Sequence, residues 1–139
     1  GVKLKDYWQA GPRNYLGLQV PGFPNMFTIT GPGSPSVLCN LPPAIEQHVN
    51  WITDCIRVMR DKGLQRIEAT ENASDEWCAE VNRAANATLL AKVKHSWYLG
   101  ANVPGKPQVF MPYAGGFGHY TAICNQVAQD NYKGFSLST

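Results

Sequence analysis

A chain of 139 residues, 44% hydrophobic and 16% charged, has the size and composition of one ordinary domain, which excludes a disordered polypeptide. Its net charge is only +2, with basic residues such as Lys3, Lys5, Arg57, Arg60, Lys62, Arg66, Lys92 and Lys94 scattered among acids, and gives no ground for a nucleic-acid surface. The longest apolar runs, such as Val109-Phe110-Met111, fall far short of the ~20 residues that cross a bilayer.

The first eight residues, Gly1 to Trp8, are charged and aromatic and lack the apolar stretch of an export signal. Cysteines at positions 39, 55, 78 and 124 form no C-x-x-C pair, and a core of this size needs no disulfides, so reduced thiols and a cytoplasmic location are expected. From Asp6 to Pro24 the turn formers Gly11-Pro12, Gly17 and Pro21-Gly22 predict an ordered loop. Asn25 to Thr30 is rich in β-formers and ends at Gly31-Pro32, which predicts a buried strand feeding a tight turn. The strongest helix follows: Ile45, Val49, Ile52, Ile56 and Met59 recur at steps of 4 and 3, laying one apolar stripe along it. Asn40 is placed to cap it, Pro42 and Pro43 suit its first turn, and Gly63 suits its close.

A second helix is expected from about Ser74 to Leu90, with Trp77, Val81, Ala84, Ala85 and Thr88 on one face. Trp97 to Pro107 reads as a loop, Val109-Phe110-Met111 as a short strand, and His119 to Asp130 as a third helix burying Tyr120, Ile123 and Val127.

Two loops carry the chemical interest. Gly31-Pro32-Gly33-Ser34-Pro35-Ser36 joins a predicted strand to a helix whose N-terminus, through the N–H groups near Asn40, Leu41 and Ala44 and the helix dipole, suits developing negative charge on a ligand. The same pattern also describes an ordinary strand-to-helix turn. Trp97-Tyr98 with Asn102 and Lys106 offers a ring face, an amide and a cation within ten residues, which suits a nucleotide phosphate or a carboxamide; a surface loop pinned by a tryptophan has the same composition. His48, His95 and His119 stand apart without acidic partners, so no metal site is expected, and no G-x-S-x-G or Cys/His pair supports hydrolysis. Cys39, beside the first loop, reads as a small packing residue.

From Tyr7-Trp8 and Gly11-Pro12-Arg13 through Tyr15-Leu16-Gly17-Leu18, Pro24-Asn25-Met26-Phe27, Gly31 to Ser36, Ile45 to Val49 with Trp51, Glu76-Trp77, Ser96 to Pro107 and Gly134-Phe135, the chain resembles the C-terminal part of Baeyer–Villiger monooxygenases. Val109-Phe110-Met111 and Gly115-Gly116-Phe117 look more like the branch acting on phenylacetone and steroids than the cyclohexanone branch. The resemblance implies an α/β fold, the C-terminal segment of a Rossmann-like FAD-binding domain, built mostly of helices and loops with one or two short strands. It implies an enzyme that uses NADPH to reduce FAD, activates O2 on the flavin, and inserts one oxygen atom beside a ketone carbonyl to give an ester or lactone. Ser36, Val37, Leu38 and Leu41 would then line the substrate pocket, Asn40, Leu41 and Ala44 would face the flavin, and Trp97 would contact NADP within a closing loop that includes Asn102 and Lys106.

Neither a G-x-G-x-x-G after a strand nor the F-x-G-x-x-x-H-x-x-x-W signature of that family lies in these residues. The expectation is therefore residues 1–139 as part of an FAD-binding domain, with the FAD fingerprint, the NADP domain and the catalytic groups in the rest of a parent chain. The alternatives are a segment of an N- or S-oxygenating flavin monooxygenase and a non-catalytic binding module.

Overall fold

The computed structural model describes residues 1–36, 39–93 and 96–139. Its elements in chain order are a single helical turn α1 (Leu4–Tyr7), the long helix α2 (Leu41–Asp61), strand β1 (Arg66–Ala69), helix α3 (Glu71–Asn86), 3-10 turns at Leu89–Lys92 and Trp97–Leu99, helix α4 (Phe117–Gln129) and strand β2 (Phe135–Ser138). The strands form a two-stranded antiparallel sheet with Arg66 opposite Ser138 and Ala69 opposite Phe135. Helices and loops with two short strands are therefore the architecture, but the strands are not the expected ones. Asn25 to Thr30 makes one bridge, Phe27 to Gln19, and Val109 to Met111 runs extended without joining a sheet. In both runs the β-forming residues lack a neighbouring strand long enough to build a ladder.

The centre of the core is an irregular segment. Residues 14–21 are buried throughout, folded on a turn in which Leu16 and Gly17 both take positive φ (58° and 69°) and Leu18 N–H donates to Tyr15 O at 3.0 Å. Two positive φ values in succession define the mirror-image turn that suits paired strands, and Tyr15 and Gln19 are bridged across it. Leu16 accepts the strain of ~1–2 kcal/mol because its side chain is wholly buried. Gln19, also buried, spends its amide on β1: its Nε2 donates to Ile67 O at 3.2 Å and its Oε1 accepts from Ala69 N at 2.8 Å. Asn25 adds three bonds, with its backbone N–H donating to Ile67 O at 2.9 Å, Oδ1 accepting from Ile67 N and Nδ2 donating to Gln65 O, so the free edge of β1 is paired largely by side chains.

The helices close around this segment through aromatic rings. Trp51 on α2 packs against Tyr132 and Phe135 and donates to Cys124 O on α4 at 2.9 Å. Trp77 on α3 packs against Tyr113 and Tyr120 and donates to Gly33 O at 3.1 Å. Burying an indole requires a partner for its N–H, and both have one.

Helix α3 spans Glu71–Asn86 rather than Ser74 to Leu90, because Thr70 caps it by accepting from Ala73 N; Thr88 lies beyond its end and caps the 3-10 turn. Helix α4 buries Tyr120, Cys124 and Val127, with Ile123 half-buried. Helix α2 ends as its glycine predicts: Gly63 at φ +69° donates to Arg60 O and Leu64 N–H donates to Met59 O, the two bonds of a Schellman close. Its start differs from expectation. Asn40 has capping backbone angles but no side-chain bond, since the positions whose N–H it would accept from are Pro42 and Pro43.

The face of α2 also differs. Buried are Ala44, His48, Trp51, Cys55 and Met59, whereas Leu41 (47% exposed), Ile45 (41%), Val49 (42%) and Ile56 (52%) form an open row, with Ile52 at its inner edge. Of the expected stripe only Met59 is in the buried row. The two rows lie about one residue, roughly 100°, apart around the helix.

Candidate functional site

The two loops singled out by their composition meet. Thr30, Gly31, Pro32, Ser34 and Ser36 from one, Trp97 and Tyr98 from the other, and Met111 and Pro112 line an open cleft of about 200 Å³. The backbone explains the convergence. Gly33 N–H donates to Met111 O and Tyr113 N–H to Ser34 O at 2.9 Å, while Val109 N–H donates to Leu99 O and Met111 N–H to Tyr98 O. The extended run Val109 to Tyr113 thus straps both loops to one frame.

The glycines of the first loop serve packing. A Cβ on Gly31 would meet Thr28 Oγ1 at 2.5 Å and Gly17 O at 2.7 Å, and one on Gly33, at φ +83°, would meet Trp77 Nε1 at 2.9 Å. Several of the loop's polar groups are committed: Asn14 Nδ2 donates to Pro32 O, Ser34 Oγ to Gly31 O at 2.6 Å, and Thr30 Oγ1 to Ile29 O at 2.7 Å. Prolines, Met111 and the aromatic pair leave a largely apolar cleft that suits the flat face of a ring.

Trp97 lies over Tyr98 with ring centroids 4.1 Å apart and is 63% exposed, so its second face is open. Ser96 caps this turn by accepting from Tyr98 N. Asn102 and Lys106 do not join the cleft: both lie on the exposed loop, and Lys106 Nζ donates to Trp8 O at 3.2 Å, tying that loop to the N-terminal segment. Ser36 does line the cleft. Asn40 and Leu41 are exposed at the start of α2, and Ala44 is buried one turn in. Of the first three N–H positions of α2 only Leu41 carries a donor, so its N-terminus offers an anion the dipole with few hydrogen bonds. Val37 and Leu38 lie outside the described residues, as does His95. Cys39 donates to Pro35 O, and burial raises its pKa, which keeps the thiol protonated and fits a packing role.

One participant was not foreseen. His48 is fully buried and holds the loop from behind: Thr30 N–H donates to its Nδ1 at 2.9 Å, and its Nε2 lies 2.6 Å from Tyr120 Oη, which donates to Leu16 O at 2.6 Å. With Nδ1 accepting and the Tyr120 proton spent on Leu16, the proton of His48 sits on Nε2. Burial lowers its pKa to about 4, so the ring is neutral. Its spacing on the helix, four residues from Ala44 and three from Trp51, is the signal that marks it as core. Among the described residues there is no group of His, Cys, Asp and Glu side chains that would hold a metal, and no helix long and apolar enough to cross a membrane.

No protein-family model matches the chain. It is 42% identical over 132 residues, 95% of its length, to a Baeyer–Villiger monooxygenase from Pseudooceanicola batsensis, and 39% identical over 137 residues to a phenazine N-monooxygenase from Lysobacter antibioticus. Among solved structures it superposes on a steroid monooxygenase bound to NADP with a TM-score of 0.90 and 48% identity over 99% of the chain, and on a monooxygenase (OTEMO) in complex with FAD and NADP with a TM-score of 0.89 and 36% identity. The chain spans about a quarter of the length of these relatives. Its homologues along nearly its whole length are monooxygenases, Baeyer–Villiger enzymes among them.

Proposed function

We propose that this chain, homologous from end to end to Baeyer–Villiger monooxygenases, supplies one wall of the active site of an FAD- and NADPH-dependent enzyme that inserts an oxygen atom from O2 beside a ketone carbonyl. The observation that carries the reading is the 48% identity and TM-score of 0.90 to a steroid monooxygenase bound to NADP, over 99% of the chain. The cleft fits part of the cofactor pair. At about 200 Å³ it is smaller than the ~300–1,000 Å³ of a complete ligand pocket, and its apolar lining matches a ring rather than a pyrophosphate.

When bound, the flavin carries electrons from NADPH to O2. The residues of this chain bind and orient. Trp97, backed by Tyr98, presents an aromatic face to the nicotinamide nucleotide; Ser36, with Val37, Leu38 and Leu41, borders the ketone; and the dipole of α2, with Asn40, Leu41 and Ala44 at its start, favours negative charge on the flavin. Asn102 and Lys106 lie on the loop that follows Trp97, from which a closing motion would bring them to the nucleotide. Residues 1–139 act as part of an FAD-binding domain in a cytoplasmic protein whose remaining portion supplies the fingerprint and the reacting groups.

The test joins the chain to the rest of a monooxygenase and supplies NADPH, O2 and a ketone such as phenylacetone. Ester formation coupled to NADPH oxidation is expected, and Trp97→Ala is expected to raise KM for NADPH about 2- to 13-fold, the ~0.5–1.5 kcal/mol of an aromatic contact. NADPH oxidation without ester from any of a panel of ketones overturns the reading. A second reading, N-oxygenation, is favoured by the 39% identity to the phenazine N-monooxygenase, and N-oxide formation from an aromatic N-heterocycle in the same assay selects it.

A further inference from the structure

A directed chain of hydrogen bonds runs behind the cleft and joins two strained corners of the backbone. Thr30 N–H donates to His48 Nδ1 at 2.9 Å, His48 Nε2–H donates to Tyr120 Oη at 2.6 Å, and Tyr120 O–H donates to Leu16 O at 2.6 Å. Every donor points the same way along it, so each bond polarises the next. Its ends are Thr30 at φ 53° and Leu16 at φ 58°, non-glycine residues in the left-handed region. For a β-branched residue such as Thr30 that conformation persists only where its surroundings hold it. His48 is the holder, since the hydroxyl of Thr30 is turned back onto Ile29 O. Both His48 and Tyr120 are wholly buried, and two apolar side chains would fill the same space between α2 and α4 with no polar atom to satisfy.

What hangs on this chain of bonds is one wall of the cleft. Thr30, Gly31 and Pro32 form its near half and Ser34 and Ser36 its far half. The far half is fixed by the extended run, through Gly33 and Ser34, and by the central turn, where a Cβ on Gly17 would meet Ser34 Cβ at 2.6 Å. The near half begins at Thr30, whose N–H has His48 as its partner. Trp97 and Tyr98, on the opposite side, hang from Val109 and Met111 and make no bond to His48 or Tyr120 among the described residues. The two sides of the cleft are therefore held by separate devices. We propose that His48 and Tyr120 are positioning residues for the reaction: anchored on Leu16 O, they fix the Thr30–Pro32 half of the wall and so set the width of the cleft for the ketone, leaving the nucleotide side to the extended run. This rests on the functional reading above for the identity of what the cleft holds.

The test uses the chain joined to the rest of a monooxygenase, as above, with three substitutions at one buried position. Asn carries an acceptor where Nδ1 stands and keeps the Thr30 bond, Gln carries its amide where Nε2 stands and keeps the Tyr120 bond alone, and Leu keeps neither. All three lose the ring, so a merely structural role moves them together. By hydrogen exchange the Thr30 amide should stay within about tenfold of the unaltered protein in His48→Asn and exchange about 100-fold faster in His48→Gln and His48→Leu. In those last two, KM for the ketone should rise and ester formed per NADPH consumed should fall, each at least about fivefold, with KM for NADPH within about twofold; His48→Asn should restore most of both. Tyr120→Phe, which keeps the shape of the ring, should give a smaller loss of the same kind and add less than about twofold to His48→Leu, because it acts through His48. Equal Thr30 exchange and equal ketone KM across the three His48 variants overturns the proposal. So does a KM for NADPH that rises as much as that for the ketone, or a Tyr120→Phe loss that adds in full to His48→Leu. If the His48 variants do not fold, Tyr120→Phe decides by the same split between the two KM values. An unaltered joined enzyme that forms no ester removes the functional reading while Thr30 exchange still decides whether His48 holds the wall, and ester formation with Thr30 unmoved in every variant does the reverse.

Discussion

His48 is where a single side chain governs the loop. Its neutral ring accepts from Thr30 N–H, and protonation would set two hydrogens against each other in a site that excludes water. The ordinary histidine pKa of 6.5 in the unfolded chain falls to about 4 in the fold, so between those values the unfolded chain binds a proton that the folded one refuses. Stability from this group is complete above about pH 6.5 and is lost as pH falls towards 4, by about 3 kcal/mol in all. Urea unfolding at pH 7 and pH 4.5 measures it, and His48→Gln is expected to flatten the difference; an unchanged difference assigns the effect to other groups. Gly33 makes a second prediction. A methyl at φ +83° drives into Trp77 Nε1 and breaks its bond to Gly33 O, so Gly33→Ala should cost about 2–4 kcal/mol by denaturant midpoint.

At the scale of elements, α2 separates hydrophobicity from burial. Met59 and Ile56 stand on adjacent rows of the same helix, yet Met59→Ala should cost ~2–5 kcal/mol in the isolated chain and Ile56→Ala less than ~1 kcal/mol, because only the first opens a cavity. Chemical unfolding of the two variants decides this. The helices were legible because a 3.6-residue period survives in Trp77, Val81 and Ala84 and in Tyr120, Cys124 and Val127. The face of α2 was misread because its open row carries more aliphatic residues than its buried one, which sets an alanine, a histidine and a cysteine alongside one tryptophan and one methionine. Strands β1 and β2 escaped notice because Arg66-Ile67-Glu68-Ala69 and Phe135-Ser136-Leu137-Ser138 are short and half polar, and one edge is satisfied by Gln19 and Asn25 from far away in sequence. At the cleft, the two loop motifs were readable from their glycines, prolines and aromatics. Their meeting was not, since Val109, Met111 and Tyr113 join them by backbone bonds that leave no mark in side-chain type.

The molecule as a whole combines an ordered core with an open apolar flank and a shallow cleft. A complete dinucleotide needs far more enclosure than about 200 Å³, so titration of the isolated chain with FAD should give no stoichiometric binding by flavin fluorescence. Tight 1:1 binding would make the chain a self-sufficient flavin module. The flank also predicts concentration-dependent association of the isolated chain by light scattering, reduced by Val49→Asp.

The side-chain pairing on the free edge of β1 also bears on the order of synthesis. Ala69 and its partner Phe135 stand 66 residues apart, so at ~5–20 residues per second β1 leaves the ribosome roughly 3–13 s before β2 exists to pair with it. Gln19 and Asn25 are already made by then, and their amides can occupy one edge of the nascent strand at once. A sticky intermediate is thereby left with one open side instead of two for those seconds, a safeguard written into the loop that precedes the strand.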